Sequence, residues 1–339
     1  MKKTEEGIAT VKFPRRRFLH LAAGAAVLPA VSRMARAQAF PTRPITIVVP
    51  FAAGGPLDAL TRVMADGMRK QLGQPILIEN VTGAAGSIGV GRVAHAAPDG
   101  YTVGAGNWST HVANGAVYPL QYDLLKDFDP VALLPRNPML IVAKKALPIA
   151  SLTELIGLLK SNPGKLVAGT AGAGSGSHLA GVYFQNITGT RFQFVPYRGT
   201  GPAMSDLVAG HIDLMFDQAS EALEQVRADA IRAYAVTAKT RLTSAPDIPT
   251  VDEAGASGLY ISLWSGFWVP KGTPKDIVIK LNAAVADILA DTAVRGLLSG
   301  RGMDIPSREQ QTPEALGAFQ RAEIEKWWPI IKAANIKGE

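Results

Sequence analysis

The chain has 339 residues, 47% apolar and 19% charged, an ordinary globular balance with room for two domains of moderate size. The net charge of +7 does not indicate a nucleic-acid partner, because residues 1–39 hold eight of the 35 basic residues and two of the 28 acidic ones, leaving 27 against 26 in the remainder. The absence of cysteine excludes disulfides, thiolate metal sites and cysteine nucleophiles.

Residues 1–39 have the order of an export signal. Arg15-Arg16-Arg17-Phe18-Leu19 is similar to the twin-arginine signature, with Pro14 where Ser or Thr is more usual. Residues 21–31 form an apolar core too short to span a bilayer. Ala35-Arg36-Ala37 and Ala37-Gln38-Ala39 both offer small-x-small cleavage sites. A buried amphipathic helix is the alternative. The expected mature chain starts near Gln38 or Phe40 in a bacterial periplasm, and it is soluble, since no other run approaches transmembrane length.

Beyond the leader, strand and helix patterns alternate. Ile45–Val49 is short, β-branched and bounded by prolines, which predicts a buried parallel strand. The small-residue turn Ala52-Ala53-Gly54-Gly55 follows, then Pro56 at a first helical position and Asp58 near the positive end of the dipole. A strand, a glycine turn and a helix start aim unpaired N–H groups at one point and suit an anion. The helix covers 59–72 and stops at Gly73, 75–79 is a strand, and 88–97 is helical. Gly89-Val90-Gly91-Arg92-Val93-Ala94 fits a loose dinucleotide-binding pattern, but no strand directly precedes it, so nucleotide binding is not read here. Strand 101–105 runs into the polar, aromatic loop 106–111, at a strand's carboxyl end where ligands sit in open α/β sheets.

Residues 131–134 and 139–143 are two more strands, and Ser151-Leu152-Thr153-Glu154 is a capping box opening the next helix. The first motif then recurs in outline: strand 166–170, Gly/Ser turn 171–177, helix 178–186. Strand–helix units at 192–196/201–209 and 212–216/218–227 follow, then strand 231–237, loop and short helix 249–260, and aromatic strand 263–270. Residues 275–289, 293–298 and 313–334 are helical, with a kink or break at Pro329. The alternation predicts an α/β fold with mainly parallel sheets. The two strand–turn–helix units predict two similar domains facing one cleft, with connecting passages near 139–143 and 233–238.

Several segments together resemble one family. They are Val49-Pro50-Phe51 through Asp58, Ala97-Pro98-Asp99-Gly100-Tyr101-Thr102, Leu125-Lys126-Asp127-Phe128 and Ser177-His178-Leu179-Ala180-Gly181. Val195-Pro196-Tyr197-Arg198-Gly199, Asp213-Leu214-Met215-Phe216-Asp217, the run from Arg232 to Thr237, and Pro249-Thr250-Val251 with Glu253-Ala254-Gly255 complete the set. In this order they resemble the periplasmic receptors of tripartite tricarboxylate transporters, the Bug family, over essentially the whole mature chain. The resemblance implies a type II periplasmic-binding, Venus-flytrap fold, with two α/β domains joined by two crossover segments. Its expected division is 40–140 plus 238–339 for the first domain and 141–237 for the second.

It also implies a receptor that captures a small carboxylate between its domains for membrane transporter subunits, as a monomer, with no cofactor, metal or nucleic acid. Carried over by position, the first-domain ligand loop is Phe51, Ala53, Gly54 and Gly55 with Asp58, beside Asn107, Trp108, Ser109 and Thr110. The second-domain loop is Gly174, Ser175, Ser177 and His178, and Tyr197, Gly199, Thr200, Asp217 and Gln218 line the far wall. The chain departs from the family pattern at Ala52, where proline is frequent, at Pro56-Leu57, at Val81-Thr82 and at Gln218. Trp108 favours a ligand with a flat or apolar portion. Dicarboxylate, tricarboxylate, aromatic acid and acidic amino acid all remain open.

The alternatives are a ligand-sensing component of a regulatory system, with the same fold, and a periplasmic hydrolase using Ser175 or Ser177 with His178. Gly174-Ser175-Gly176-Ser177 does not spell a nucleophile elbow, and neighbours at a helix start rarely place a base on its nucleophile. His95, His111, His178 and His211 match no metal spacing. His178 reads either as a local helix-start residue or as a ligand donor, and Asp58 either as a dipole partner or as a ligand contact. Asp217 ends a strand at the cleft, where it could bond backbone or face a ligand ammonium or hydroxyl. Trp264, Phe267 and Trp268 read as core, and Trp327-Trp328 as domain packing.

Overall fold

The computed structural model of the protein describes residues 40–333; the export-signal reading of residues 1–39 lies outside the described residues. The first unit is β1 (Ile45–Val49), α1 (Pro56–Leu72) and β2 (Ile76–Asn80). Helix α1 starts with Pro56 in its first turn and ends on Gly73 in the left-handed conformation. Then come α2 (Ser87–Ala94) and β3 (Thr102–Asn107). In place of the expected loop, Ser109–Ala113 form a buried π-helical turn running into the single turn α3 (Asn114–Val117). Gly89 sits inside α2, where an added Cβ would come within 2.6 Å of the Val81 carbonyl oxygen. That glycine serves close helix packing, consistent with setting aside the dinucleotide pattern.

The two strands expected at 131–134 and 139–143 are one, β4 (Phe128–Lys144). It bends through two register irregularities, between Pro130 and Ala132 and between Leu133 and Arg136, so the strand passes its internal prolines without ending. The second series is α4 (Leu152–Ser161), β5 (Val167–Thr170), α5 (Gly176–Thr188), β6 (Gln193–Pro196), α6 (Thr200–Ala209), β7 (Leu214–Gln218), α7 (Ala219–Arg227) and β8 (Ile231–Val236). The chain closes with β9 (Ser262–Pro270), α8 (Lys275–Ala290), α9 (Thr292–Gly300) and α10 (Pro313–Ala333). Helix α10 continues through Pro329 instead of breaking there.

The strand order is β2-β1-β3-β9-β4-β7-β5-β6, with β8 also on β4. The first half of β4 pairs with β9 and its last residues pair with β7 and β8, so this one strand crosses the seam of the sheet. Parallel pairing is confined to β1 with β2 and β3, and to β5 with β6 and β7. The centre is antiparallel, which corrects the mainly parallel expectation. The residues between β8 and β9 hold turns and isolated bridges but no helix. β8 and β9 both run antiparallel to β4, on different stretches of it.

Apolar faces cover both sides of the sheet. Met64 and Met68 of α1 pack with Leu281 and Val285 of α8 over Ile45, Val103 and Phe267. Phe184 of α5 packs against Phe216 and Phe192. Each such side chain contributes about 1.5–3 kcal/mol on burial. The aromatic group of β9 is core, as expected: Trp268 stacks on the His111 ring at 3.6 Å and donates to Gln320 Oε1. Trp328 ties α10 to the turn after β3 by donating to the Val112 carbonyl oxygen. Among the described residues no helix is long and apolar enough to cross a membrane.

Candidate functional site

The starts of four helices meet at the seam of the sheet. Phe51, Gly55 and Asp58 reach it from the β1–α1 turn, Asn107 and Ser109 from the end of β3, and Ser175 and Ser177 from the start of α5. Thr200 reaches it from α6, and Asp217 and Gln218 from the end of β7. These ten sequence-predicted residues line one cavity of about 30 Å³, room for about two waters at ~10–15 Å³ each. Neither α1 nor α6 has a side-chain cap, and the same holds for α7. Helix starts without caps offer backbone N–H groups and the positive end of a dipole to an anion.

The loops are fixed by charge and by backbone contact. Asp58 is buried and accepts from the Gly54 N–H at 3.0 Å, from Arg62 Nε at 2.9 Å and Nη2 at 3.0 Å, and from Asn80 Nδ2 at 3.0 Å. Burial alone would raise its pKa; the hydrogen bonds from Arg62, Gly54 and Asn80 outweigh it and hold the carboxyl below its usual range. This carboxylate is committed to holding the turn. Asn80 Nδ2 also donates to the Phe51 carbonyl oxygen at 2.9 Å. Gly201 sits so close to this turn that an added Cβ would lie 3.2 Å from the Gly54 carbonyl carbon and from the Gly55 nitrogen. The two loops therefore touch backbone to backbone, and Ala52 N–H donates to the Arg198 carbonyl oxygen at 3.0 Å.

On the α5 side, Ser177 Oγ accepts from the Ala171 N–H at 2.9 Å and lies 3.0 Å from Ser175 Oγ. Ser175 Oγ caps the helix by accepting from the His178 N–H, and the Gly176 N–H donates to Ser109 Oγ at 2.8 Å. The His178 ring accepts from the Gly174 N–H at 2.9 Å through Nδ1 and lies edge-on to Phe194. Burial pushes its pKa down, in keeping with an Nδ1 that accepts a hydrogen bond. No hydrogen bond joins its ring to either serine among the described residues, so the nucleophile–base contact of a hydrolase is not formed.

The other eight sequence-predicted residues stand off the cavity. Ala53 and Gly54 are exposed at the tip of the turn. Gly54 has φ of +89°, so it supplies a left-handed bend there. Trp108 packs edge-on to Trp327 and lines a separate apolar cavity with Leu179 and Ile261, where the helical turn after β3 places it. Thr110 points inward, its hydroxyl bonded around Asn107 and against His111. Gly174 faces Val117, and His178 is the local loop residue described above. Tyr197 stands at an outer opening with Arg198 and donates to Asp206 Oδ2 at 2.6 Å. Gly199 packs on the Ala52 nitrogen, 3.2 Å from where its Cβ would be.

Sequence reasoning missed other lining residues. Gly176 and Ala171 were within reach of it, since they belong to the Gly/Ser turn already singled out. Met139 and Leu263 were not, because apolar residues on β4 and β9 look like core until the seam is known. Glu221 is the most consequential omission. It stands four residues after Asp217 and accepts from Thr200 Oγ1 at 2.7 Å. Its residue keeps some surface, yet its carboxyl is enclosed beside that of Asp217. Burial pushes Glu221 up to about 7, against the lowering bond from Thr200. Burial and then the Glu221 charge push Asp217 well above the carboxylate range. Among the described residues no group of three or more acids and histidines is placed to hold a metal ion.

Residues 60–336 match the family described as the tripartite tricarboxylate transporter family receptor. The chain belongs to that family. It is similar to MatC from Rhodopseudomonas palustris, a structure with bound malate, at 42% identity and a TM-score of 0.83, covering 86% of this chain and all of that one. It is similar to the periplasmic binding protein BugD at 36% identity and 0.85, covering 88% and 100%. A further R. palustris protein, with adipate, matches at 34% identity and 0.83, covering 88% and 99%. The fold of this receptor is accordingly the periplasmic-binding type, as the sequence resemblance implied.

Proposed function

We propose that this receptor works in the periplasm, where it takes up a small organic acid by one carboxylate at the seam and presents it to membrane subunits of a tripartite transporter. The observation that carries the reading is the convergence of helix starts without side-chain caps on one enclosed cavity, in a family whose members include structures with malate and adipate. Backbone N–H groups and the one hydroxyl proton that the Ser175–Ser177 pair leaves free supply charge-assisted contacts to the carboxylate.

Residues 40–140 with 238–339, and 141–237, are proposed as the two moving domains. The hinge then runs through Met139 and Thr237. The Thr237 N–H donates to the Met139 carbonyl oxygen at 2.8 Å and its Oγ1 donates to the Ile261 carbonyl oxygen at 2.6 Å. A cavity of about 30 Å³ is smaller than any such acid, so the jaws part to admit it. The reading includes no turnover, and it takes residues 1–39 as a cleaved twin-arginine leader.

A thermal-shift screen of the mature protein against mono-, di- and tricarboxylates tests the reading. At least one acid is expected to raise the midpoint in proportion to RT ln(1 + [L]/Kd) and to be recovered unchanged. A midpoint raised only by uncharged sugars, or consumption of the acid, would sink it.

A further inference from the structure

The cavity has an acidic wall that carboxylate capture does not use. Asp217 lines it with no exposed surface, and neither of its carboxyl oxygens makes a hydrogen bond of full geometry among the described residues; the Gln218 N–H and the Thr200 hydroxyl stand near enough to favour its charged form but do not offset its burial. Its close neighbour is a second carboxyl, that of Glu221, which is itself anchored by Thr200 Oγ1. No lysine or arginine forms an ion pair with either acid among the described residues. Buried acceptors without donors are rare and costly, so this one calls for a partner that arrives from the cavity.

We propose that the Asp217–Glu221 pair is the specificity subsite of the receptor, accepting a hydrogen bond from a hydroxyl or ammonium substituent on the bound organic acid. The inference rests on the organic-acid reading above and names the class of acid: hydroxylated or amino acids over plain ones. Two carboxyls this close hold one proton between them, as their raised affinity for it agrees. The shared proton occupies the edge between them. The pair keeps one negative charge, and of the two acids it is Asp217 that faces the cavity. A second ligand carboxylate at this wall meets repulsion, whereas a hydroxyl satisfies the acceptor and an ammonium also neutralises the charge. The uncapped start of α1 on the same cavity meanwhile offers its N–H groups to the ligand's own carboxylate, so the two ends of the ligand meet opposite electrostatics.

The test is calorimetry with matched acids of four to six carbons, each as the plain dicarboxylate, its 2-hydroxy form and its 2-amino form. Succinate, malate and aspartate are the four-carbon set. At one chain length or more, a substituted acid is expected to bind at least tenfold tighter than its plain partner. In Asp217→Leu, which fills the same space without an acceptor, that ratio falls to about one. Asp217→Ala is the second variant should the first not melt cooperatively. Glu221→Gln keeps a hydrogen-bonding group against Asp217 and retains the preference, which a purely structural role would not distinguish from Asp217→Leu. Asp217→Asn separates the arms: it retains a hydroxyl preference and loses an ammonium one. Plain acids binding as well as both substituted forms at every length, or a preference that survives Asp217→Leu, overturns the subsite while leaving the receptor reading intact. Failure of every acid to bind removes both.

Discussion

Asp58 accepts four hydrogen bonds from three residues, and its consequence for binding is indirect. Two of the donors, the Gly54 N–H and Asn80 Nδ2, shape the turn whose neighbours line the cavity. The Arg62 side chain is half exposed, so its ion pair adds little after solvent screening. Asp58→Ala should therefore lower stability by about 2–3 kcal/mol, chiefly through the buried donors it orphans, and weaken ligand binding in parallel. Urea unfolding beside calorimetry checks this; normal stability with abolished binding would instead make Asp58 a direct ligand contact. Glu221 gives a pH signature. Its folded pKa is raised from 4.5 to about 7, so its contribution to stability is complete below about 4.5 and lost as pH rises through about 7. Asp217 acts in the same direction. His111, lowered to about 3 by burial, acts oppositely, losing its contribution as pH falls below 6.5. Glu221→Gln removes the first effect and, by taking the charge from beside Asp217, also lessens the second. Wild type minus variant stability should fall steadily between pH 5 and pH 8, and a difference independent of pH in denaturant titrations would refute the assignment.

Helices and strands were the most legible part of the chain, because their periods and caps are local. Pro56 and Gly73 bracket α1, and Ser151 caps α4 by accepting from the Glu154 N–H, as its capping box implies. Pairing direction was not legible. β4 reads as two strands because Pro135 and Pro138 interrupt its apolar pattern, and only the bulges of the folded sheet let one strand span the seam. The turn after β3 reads as a loop from its polar residues, yet Thr110 and Asn107 satisfy each other and the segment is buried helix. That turn places Trp108 in the separate apolar cavity. The site was readable where a backbone motif repeats, at 51–58 and 171–178, and at the acid ending β7. It was unreadable where it depends on what faces across the seam, as with Met139, Leu263 and the partnership of Asp217 with Glu221.

Closure is where these elements act together. Three hydrogen bonds join the loops across the seam, Ala52 N–H to the Arg198 carbonyl oxygen, Gly176 N–H to Ser109 Oγ, and Tyr118 Oη to the Ala173 carbonyl oxygen, while Asn137 with Ser220 and Arg301 with Glu224 also cross between the proposed domains. Net hydrogen-bond contributions of about 0.5–1.5 kcal/mol each make such a latch weak enough for a ligand to tip. At Gly201 the Ala53, Gly54 and Gly55 backbone leaves a Cβ only 3.2–3.3 Å. Backbone on both sides cannot rotate away as a side chain would, so Gly201→Ala must hold the two loops a few tenths of an ångström apart. The helix start itself accepts alanine, since Gly201 lies within α6 and needs no left-handed φ. The variant should fold with near-normal stability while its closed state is penalised. Since closure follows encounter, the loss should fall on dissociation: koff up about tenfold, kon within about threefold, and a ligand-saturated scattering radius larger than that of wild type. Tyr118→Phe, which removes one latch hydroxyl at the mouth, should shift koff in the same direction by less. Equal koff in Gly201→Ala and wild type would mean that the seam contacts do not form on the route to the bound state, and the hinge through Met139 and Thr237 would lose its support.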